Sequence, residues 1–260
     1  GFDAMARSLG FLTQKTTSED EVDESEGEID PSNFQTLDVG SPFDFAAQGV
    51  LYLPKHLPEP GRDGPSKEVL TELGELIDAA GGRTLALFSS WRGVEAADAH
   101  LRDVLKELPI TVITQKRGDA VGPLVERFAK DETSILLGTM SLWQGVDVPG
   151  NSCILVAIDR IPFPRPDEPV MAARSSQADA AGGSGFMQVS MPRAALLLAQ
   201  GTGRLIRSVD DRGVVAILDS RIVTKRYGSV LLNSMPPLWR TSDKSVVCDS
   251  LNRLSDSLAD

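Results

Sequence analysis

Cysteine, histidine and aromatic residues are scarce in this chain. Among 260 residues there are two cysteines, two histidines and 5% aromatic residues. Cys153 and Cys248 are too few and too far apart for a disulfide framework or a cysteine-rich metal site, so we expect no metal site. Because Cys153 lies within an apolar run, we expect it to be an ordinary core residue.

Long apolar stretches are also lacking. No run approaches the roughly 20 residues that a membrane-spanning helix needs, and the chain does not open with a signal-peptide pattern. The sequence therefore predicts a soluble, cytoplasmic protein with no membrane partner.

The chain also lacks an excess of positive charge. The net charge of −11 argues against a protein that coats nucleic acid along its whole surface. Eight acids fall in a stretch without lysine or arginine: Glu19, Asp20, Glu21, Asp23, Glu24, Glu26, Glu28 and Asp30. Without these eight, the net charge of −11 would be −3, so the remainder can still carry local basic patches. We interpret residues 1–33 as an acidic, flexible segment or linker.

What the chain does contain, from residue 49 onwards, is an alternation of two patterns. Short apolar runs predict strands at 50–53, 84–88, 110–113, 134–137, 153–158 and 214–218. Longer amphipathic runs predict helices at 67–80, 93–108, 121–130, 192–208 and 225–233. Strands without polar alternation, separated by helices, indicate an α/β fold with a doubly wound parallel sheet and helices on both faces.

In such a sheet, ligands bind beyond the carboxyl ends of the strands. After the strand at 84–88 come Ser89, Ser90, Trp91 and Arg92. Hydroxyls and the amides at a helix start suit phosphate oxygens, and Trp91 could stack on a base. The alternative is that Ser89 or Ser90 only caps the helix that follows.

A glycine-rich turn follows the strand at 134–137. Thr139 and Ser141 offer donors for phosphate, and Gly145 allows a tight backbone path. Asp147 could accept a hydrogen bond from a ribose hydroxyl or hold an arginine. The alternative is a loop shaped only for turning.

Two later strand ends carry less specific patterns. The proline-rich segment 161–166 is either an inert connector or a shaped wall beside bound nucleic acid. For Asp219 and Arg221, after the last apolar strand, we expect a structural salt bridge.

The octapeptide 200–207, Gln-Gly-Thr-Gly-Arg-Leu-Ile-Arg, is the most informative segment. On a helix turning about 100° per residue, Gln200, Arg204 and Arg207 share a polar stripe, with Gly203 beside them. Two guanidiniums one turn apart form a charged fork for phosphate oxygens. The apolar residues point towards a core: Leu198, Leu205 and Ile206. The alternative is a surface helix with two solvated arginines.

Together these motifs resemble the second motor domain of superfamily 2 helicases, and more narrowly the DinG branch, relatives of XPD. The resemblance rests on the segments 41–43, 87–90, 138–150, 161–163, 200–207 and 219–221. It implies a RecA-like sheet and a helicase C-terminal domain at 34–240, with a helical tail at 241–260. Segment 138–150 resembles helicase motif V, and 200–207 resembles motif VI.

The resemblance also implies the roles of individual residues. Arg204 and Arg207 would act on ATP as arginine fingers, and Gln200 would be a further catalytic residue. Asp147, Gly145 and Gly203 would lie near the nucleotide, and residues 89–92, Thr139 and Ser141 would contact single-stranded DNA. DNA repair is implied by the resemblance alone.

Three expected motifs are missing from the chain. It has no Gly-x-x-x-x-Gly-Lys-[Ser/Thr] phosphate loop, no Asp-Glu-x-His and no four-cysteine cluster. The resemblance therefore implies the C-terminal part of a larger enzyme, inactive alone. ATP and Mg²⁺ would be held mainly by a first motor domain of the same protein, and an iron–sulfur cluster is possible only there.

Two other classes of function compete with this interpretation. A non-catalytic RecA-like module could bind nucleic acid or act as a scaffold. A dinucleotide-dependent enzyme, suggested by Gly201 and Gly203, fails because the third glycine position is Ile206 and the glycines do not directly follow a strand.

Overall fold

The computed structural model describes residues 40–143, 150–165 and 167–259. The acidic segment predicted at 1–33 lies outside these residues. The chain divides into two units, Gly1–Pro42 and Phe43–Asp260, and only residues 40–42 of the first are described.

Seven strands and nine α-helices make up the described part of the second unit. The strands are β1 (Gly49–Tyr52), β2 (Thr84–Phe88), β3 (Thr111–Thr114), β4 (Ser134–Thr139), β5 (Leu155–Ile158), β6 (Gly213–Ile217) and β7 (Trp239–Thr241). The helices are α1 (Phe45–Gln48), α2 (Lys67–Ala79), α3 (Trp91–Val104), α4 (Val121–Lys130), α5 (Pro169–Ala180), α6 (Met191–Thr202), α7 (Arg221–Thr224), α8 (Gly228–Asn233) and α9 (Lys244–Ala259). Short 3₁₀ turns at Met140–Trp143 and Gly150–Ser152 and a π-turn at Phe186–Ser190 complete the described elements.

All the strands run parallel, in the order β3-β4-β2-β5-β6-β1-β7. The side chains of β2 show how the sheet separates two cores. Leu85 and Leu87 belong to the core under α4, α6 and α8, while Ala86 and Phe88 belong to the core under α2, α3 and α9. A strand buried on both faces needs no polar alternation, which is why the apolar runs were informative. The RecA-like parallel sheet with helices on both faces is confirmed.

Most predicted elements lie within two residues of the observed ones, and β2 and α4 match at both ends. The predicted helix 225–233 begins three residues late, at Gly228, because Lys225 is extended and ends the preceding helix α7. Four elements were missed: α1, α5, α7 and β7. Helix α5 buries none of its residues, so it has no apolar stripe to detect. Strand β7 is three residues long, with Trp239 and Arg240 exposed at the sheet edge.

The predicted motif helix 192–208 is wrong at its C-terminal end. Helix α6 stops at Thr202, and the next amides bond over three residues, from Arg204 N to Gly201 O and from Leu205 N to Thr202 O. This tighter turn buries Leu205 and Ile206 beside Leu198, so the predicted core positions are confirmed. It also means that Arg204 and Arg207 do not share a helical stripe with Gln200.

Helix α9 occupies most of the segment predicted as a helical tail. Val247 and Leu251 are fully buried in the core that α9 shares with α2 and α3. This segment packs within the unit Phe43–Asp260. No helix in the part of the chain that the structure describes combines the length and apolar character required to cross a bilayer.

Candidate functional site

The carboxyl edge of the sheet brings Ser89, after β2, next to Asp159, after β5. Asp159 Oδ1 accepts from the backbone N of Ser89 over 2.9 Å, and Oδ2 lies 3.3 Å from Ser89 Oγ. Arg160 Nε also donates to Oδ2 over 3.1 Å. Burial raises the pKa of Asp159 to about 6, while Arg160 and the Ser89 donors oppose that rise. Ser89 is thus held in place by a buried carboxylate.

Ser90 and the next two residues start helix α3. Ser90 Oγ accepts from the backbone N of Gly93 over 3.2 Å, so the capping interpretation is confirmed for Ser90. The helix begins at Trp91, two residues earlier than predicted. Trp91 is half-buried, and the guanidinium of Arg117 lies over its indole at 5.6 Å. Arg92 is 68% exposed, with Nη1 3.5 Å from Asp63 Oδ1.

Thr139 and Ser141 are brought together by Gln115, the residue after β3. Gln115 Oε1 accepts from Thr139 N over 2.9 Å, and its Nε2 donates to Ser141 Oγ over 3.0 Å. The hydroxyls of Thr139 and Ser141 are 2.9 Å apart. The Gln115 side chain is buried, and its hydrogen bonds hold Thr139 and Ser141 in place.

A cleft of about 280 Å³ opens between these groups and the proline-rich segment. Ser89 and Ser141 line one side, and Phe163 lines the wall opposite. The charged lining residues are Arg193, Glu168 and Arg165, and Arg165 pairs with Asp167 over 2.8 Å. Hydroxyls beside an aromatic ring are groups that can contact the phosphates and bases of a nucleic-acid strand.

The salt bridge expected between Asp219 and Arg221 supports the proline-rich wall of the cleft. Arg221 Nη2 is 2.7 Å from Asp219 Oδ2, and the same carboxylate oxygen accepts from Ile161 N over 2.9 Å. The guanidinium of Arg221 also lies 5.9 Å from the ring of Phe163. The predicted pairing is confirmed, and Tyr227 also packs edge-on against Phe163.

Arg204 and Arg207 lie at the opposite, amino edge of the sheet. Gln48, just before β1, donates to the carbonyls of Ser208 and Asp211 at 2.8 and 3.2 Å. Asp211 Oδ2 accepts from the backbone N of both Arg207 and Ser208 over 2.8 Å. The arginine segment is therefore tied to the start of the strands, away from Ser89 and Thr139.

The two arginines are themselves linked, since Arg207 Nε donates to the carbonyl of Arg204 over 3.2 Å. Both are half-buried. Desolvation lowers the pKa of Arg207, and the Asp211 carboxylate acts in the opposite direction. Gly150, at the far end of the glycine-rich turn, lies so close to Asp211 that an added Cβ would be 2.3 Å from Oδ1. Gly150 therefore lies beside the arginine segment, whereas Thr139 lies at the carboxyl edge.

The remaining predicted site residues are less informative. Gln200 is exposed on α6, and Gly203 is the residue that ends that helix. Gly145 and Asp147 lie outside the described residues. Among the residues described, no group of three or more histidine, cysteine or acidic side chains is arranged to bind a metal ion. Cys153 is buried as expected, and burial raises the pKa of its thiol to about 12.

Three residues of this arrangement were missed as functional candidates: Gln115, Asp159 and Asp211. Gln115 and Asp159 directly follow apolar strands, so the rule that pointed to Ser89 also applies to them. No spacing in the sequence reveals Asp211, because it caps a segment that was assumed to be helical.

Comparison with known proteins identifies the family to which this chain belongs. Residues 73–238 match the helicase C-terminal domain family. An ATP-dependent helicase DinG from Mycobacterium tuberculosis is 52% identical over 255 residues, covering 98% of this chain and 35% of that protein. The ATP-dependent DNA helicase YoaA from Escherichia coli is 36% identical over 212 residues, covering 80% of this chain and 32% of that protein. A solved XPD helicase structure aligns with a TM-score of 0.52 at 17% identity, over 75% of this chain and 36% of that one, which shows the shared fold.

The chain belongs to the helicase C-terminal domain family. It is of the DinG type, as the sequence motifs predicted, and it spans about a third of the length of the curated relatives it matches.

Proposed function

We propose that this chain is the second motor domain of an ATP-dependent DNA helicase, with a different task at each edge of its sheet. Arg204 and Arg207 stabilise the charge that develops on ATP held by a first motor domain. The carboxyl edge, with Ser89, Thr139 and Ser141, contacts single-stranded DNA. The observation that carries the proposal is the position of the two described ends of the segment after β4: Met140–Trp143 follows Thr139 at the carboxyl edge, and Gly150 lies against Asp211 at the amino edge.

The amino edge suits a phosphate partner supplied by another domain. The two guanidiniums carry several N–H donors suited to phosphate oxygens. Asp211 fixes the backbone at Arg207, and Arg207 Nε donates to the carbonyl of Arg204. ATP and Mg²⁺ supply the phosphoryl group and the metal charge when bound. This chain contributes positioned positive charge. Stabilisation of the transition state by such charge can change turnover by about 10³- to 10⁵-fold.

The carboxyl edge suits a single strand. Its hydroxyls are fixed by buried groups, Asp159 under Ser89 and Gln115 under Thr139. Polar side chains that are already held in place lose little entropy when they bind a ligand, which favours contact with a nucleic-acid strand. We expect the affinity to fall as the salt concentration rises.

The test separates the two edges in the full-length native protein. Arg204→Ala and Arg207→Ala should each lower DNA-stimulated ATPase by about 10³-fold or more, while affinity for single-stranded DNA persists. Arg204→Lys should fail as well, because one ammonium does not reproduce the planar fork. Ser89→Ala and Thr139→Ala should weaken DNA binding.

Arg212→Ala is the matched control. Arg212 is exposed, lies five residues after Arg207, and bonds only to the carbonyls of Val209 and Asp211 at 2.8 Å among the described groups. We expect its ATPase to match the wild type. Normal ATPase in the Arg204→Ala/Arg207→Ala double variant would refute the finger role and favour a non-catalytic module.

A further inference from the structure

The turn at residues 116–119 follows the edge strand β3 and carries two exposed basic side chains, Lys116 and Arg117. Its shape is fixed locally. Asp119 N donates to Lys116 O over 3.1 Å, and Asp119 Oδ2 accepts from Lys116 N over 2.8 Å. Gly118 provides the positive φ of 88° that closes the turn.

Gln115 connects this turn to the DNA-contact residues proposed above. Its backbone N continues the β3–β4 ladder by donating to Leu137 O over 2.8 Å. Its side chain bonds to Thr139 and Ser141, as described. The basic turn therefore leaves the sheet beside those two hydroxyls and is fixed relative to them.

Trp91 fixes the turn from the other side. The guanidinium of Arg117 lies over the indole at 5.6 Å, within the range of a cation–π contact. Such a contact orients a guanidinium without neutralising its charge. Among the described residues, Arg117 forms no ion pair with a carboxylate, so its N–H groups keep their capacity for an anion.

We propose that this turn is an additional phosphate-binding element for single-stranded nucleic acid, in which Arg117 contacts a backbone phosphate. The inference rests on the proposed function of the carboxyl edge. Trp91 then acts as a positioning residue that seats Arg117, instead of stacking on a base as the sequence suggested. Planar guanidiniums suit phosphate better than ammonium groups do, so Arg117 is the principal ligand and Lys116 adds charge.

The test measures binding of the full-length native protein to oligodeoxythymidine, without nucleotide, at several salt concentrations. Arg117→Ala should weaken binding about three- to tenfold. It should also make the slope of log K against log salt shallower by about 0.7, the value for one lost contact to a single strand. Arg253→Ala removes the same charge from α9, beside a cleft at the amino edge of β1 and β6, and should change neither quantity.

A double-mutant cycle decides the role of Trp91. If Trp91 seats Arg117, Trp91→Ala should weaken binding in the wild-type background and have no effect in the Arg117→Ala background. Trp91→Phe keeps an aromatic face and should retain most of the affinity. Equal losses from Trp91→Ala in both backgrounds would show base stacking and overturn the seating role.

The inference and the proposed function fail in different ways. If Ser89→Ala and Thr139→Ala weaken binding but Arg117→Ala does not, the basic turn is not a ligand and the proposed function stands. If none of the three weakens binding, the carboxyl edge does not contact DNA and both proposals fall.

Discussion

The backbone N–H of Ser89 donates to Asp159 Oδ1 over 2.9 Å, joining the ends of two adjacent strands, β2 and β5. This bond makes a candidate DNA contact depend on a carboxylate that is almost fully buried. A buried carboxylate costs free energy when it is charged, and Arg160 and Ser89 offset part of that cost.

The first prediction concerns the pH dependence of stability. The folded-state pKa of Asp159, about 6, lies above the ordinary value of 3.8, so the protonated form favours folding. Its contribution is fully present below about pH 4 and is lost as the pH rises through 6. The free energy of unfolding of the wild type, minus that of Asp159→Asn, should fall by about 1 kcal/mol or more between pH 5 and pH 7.5. Chemical denaturation at both pH values measures this, and a constant difference would contradict it.

A second prediction concerns Gly138 in β4. A Cβ at this position would lie 2.1 Å from Leu142 Cδ1 and 2.7 Å from Gln115 Oε1. Because Leu142 is fully buried, Gly138→Ala should destabilise the protein by about 1–3 kcal/mol and weaken DNA binding by displacing Gln115. Gly122→Ala, where an added Cβ meets nothing within 4 Å, is the matched control and should melt at or above the wild-type temperature. Equal melting temperatures for the two variants would show that this region repacks.

The third prediction concerns Asp211. Its Oδ2 accepts from the amides of Arg207 and Ser208, so Asp211→Ala leaves two backbone donors without this partner. We expect a loss of about 1–3 kcal/mol in stability and lower DNA-stimulated ATPase in the full-length protein, with DNA affinity unchanged. Thermal melting and steady-state ATPase assays measure these quantities. Wild-type ATPase in a stable Asp211→Ala protein would show that this cap does not position the arginines.

A fourth prediction concerns the chain by itself. It contains no phosphate loop and no Asp-Glu-x-His motif, so the ligands for the β- and γ-phosphates and for Mg²⁺ are lacking. The purified chain should not hydrolyse ATP, with or without single-stranded DNA. DNA-stimulated turnover would demand a phosphate site of another kind within these 260 residues.

The sequence by itself determined the class of fold and the order of the motifs. Apolar runs such as Thr84–Phe88 predict buried parallel strands because both faces of such a strand are covered. Ser89 and Thr139 were predicted at a common edge because the carboxyl ends of parallel strands meet at one edge of the sheet. These patterns are local, so one sequence is enough to detect them.

The tertiary structure decided where the arginines lie and what holds each site. The predicted stripe of Gln200, Arg204 and Arg207 assumed a continuous helix, but burial of Leu205 and Ile206 accompanies a tight turn after Thr202. Gln115 bonds to Thr139, 24 positions away in the chain, and Asp159 bonds to Ser89, 70 positions away. Arg117 contacts Trp91 only because β3 and β2 flank β4 in the sheet. Such contacts arise from the packing of separate strands, which no local pattern of residues records.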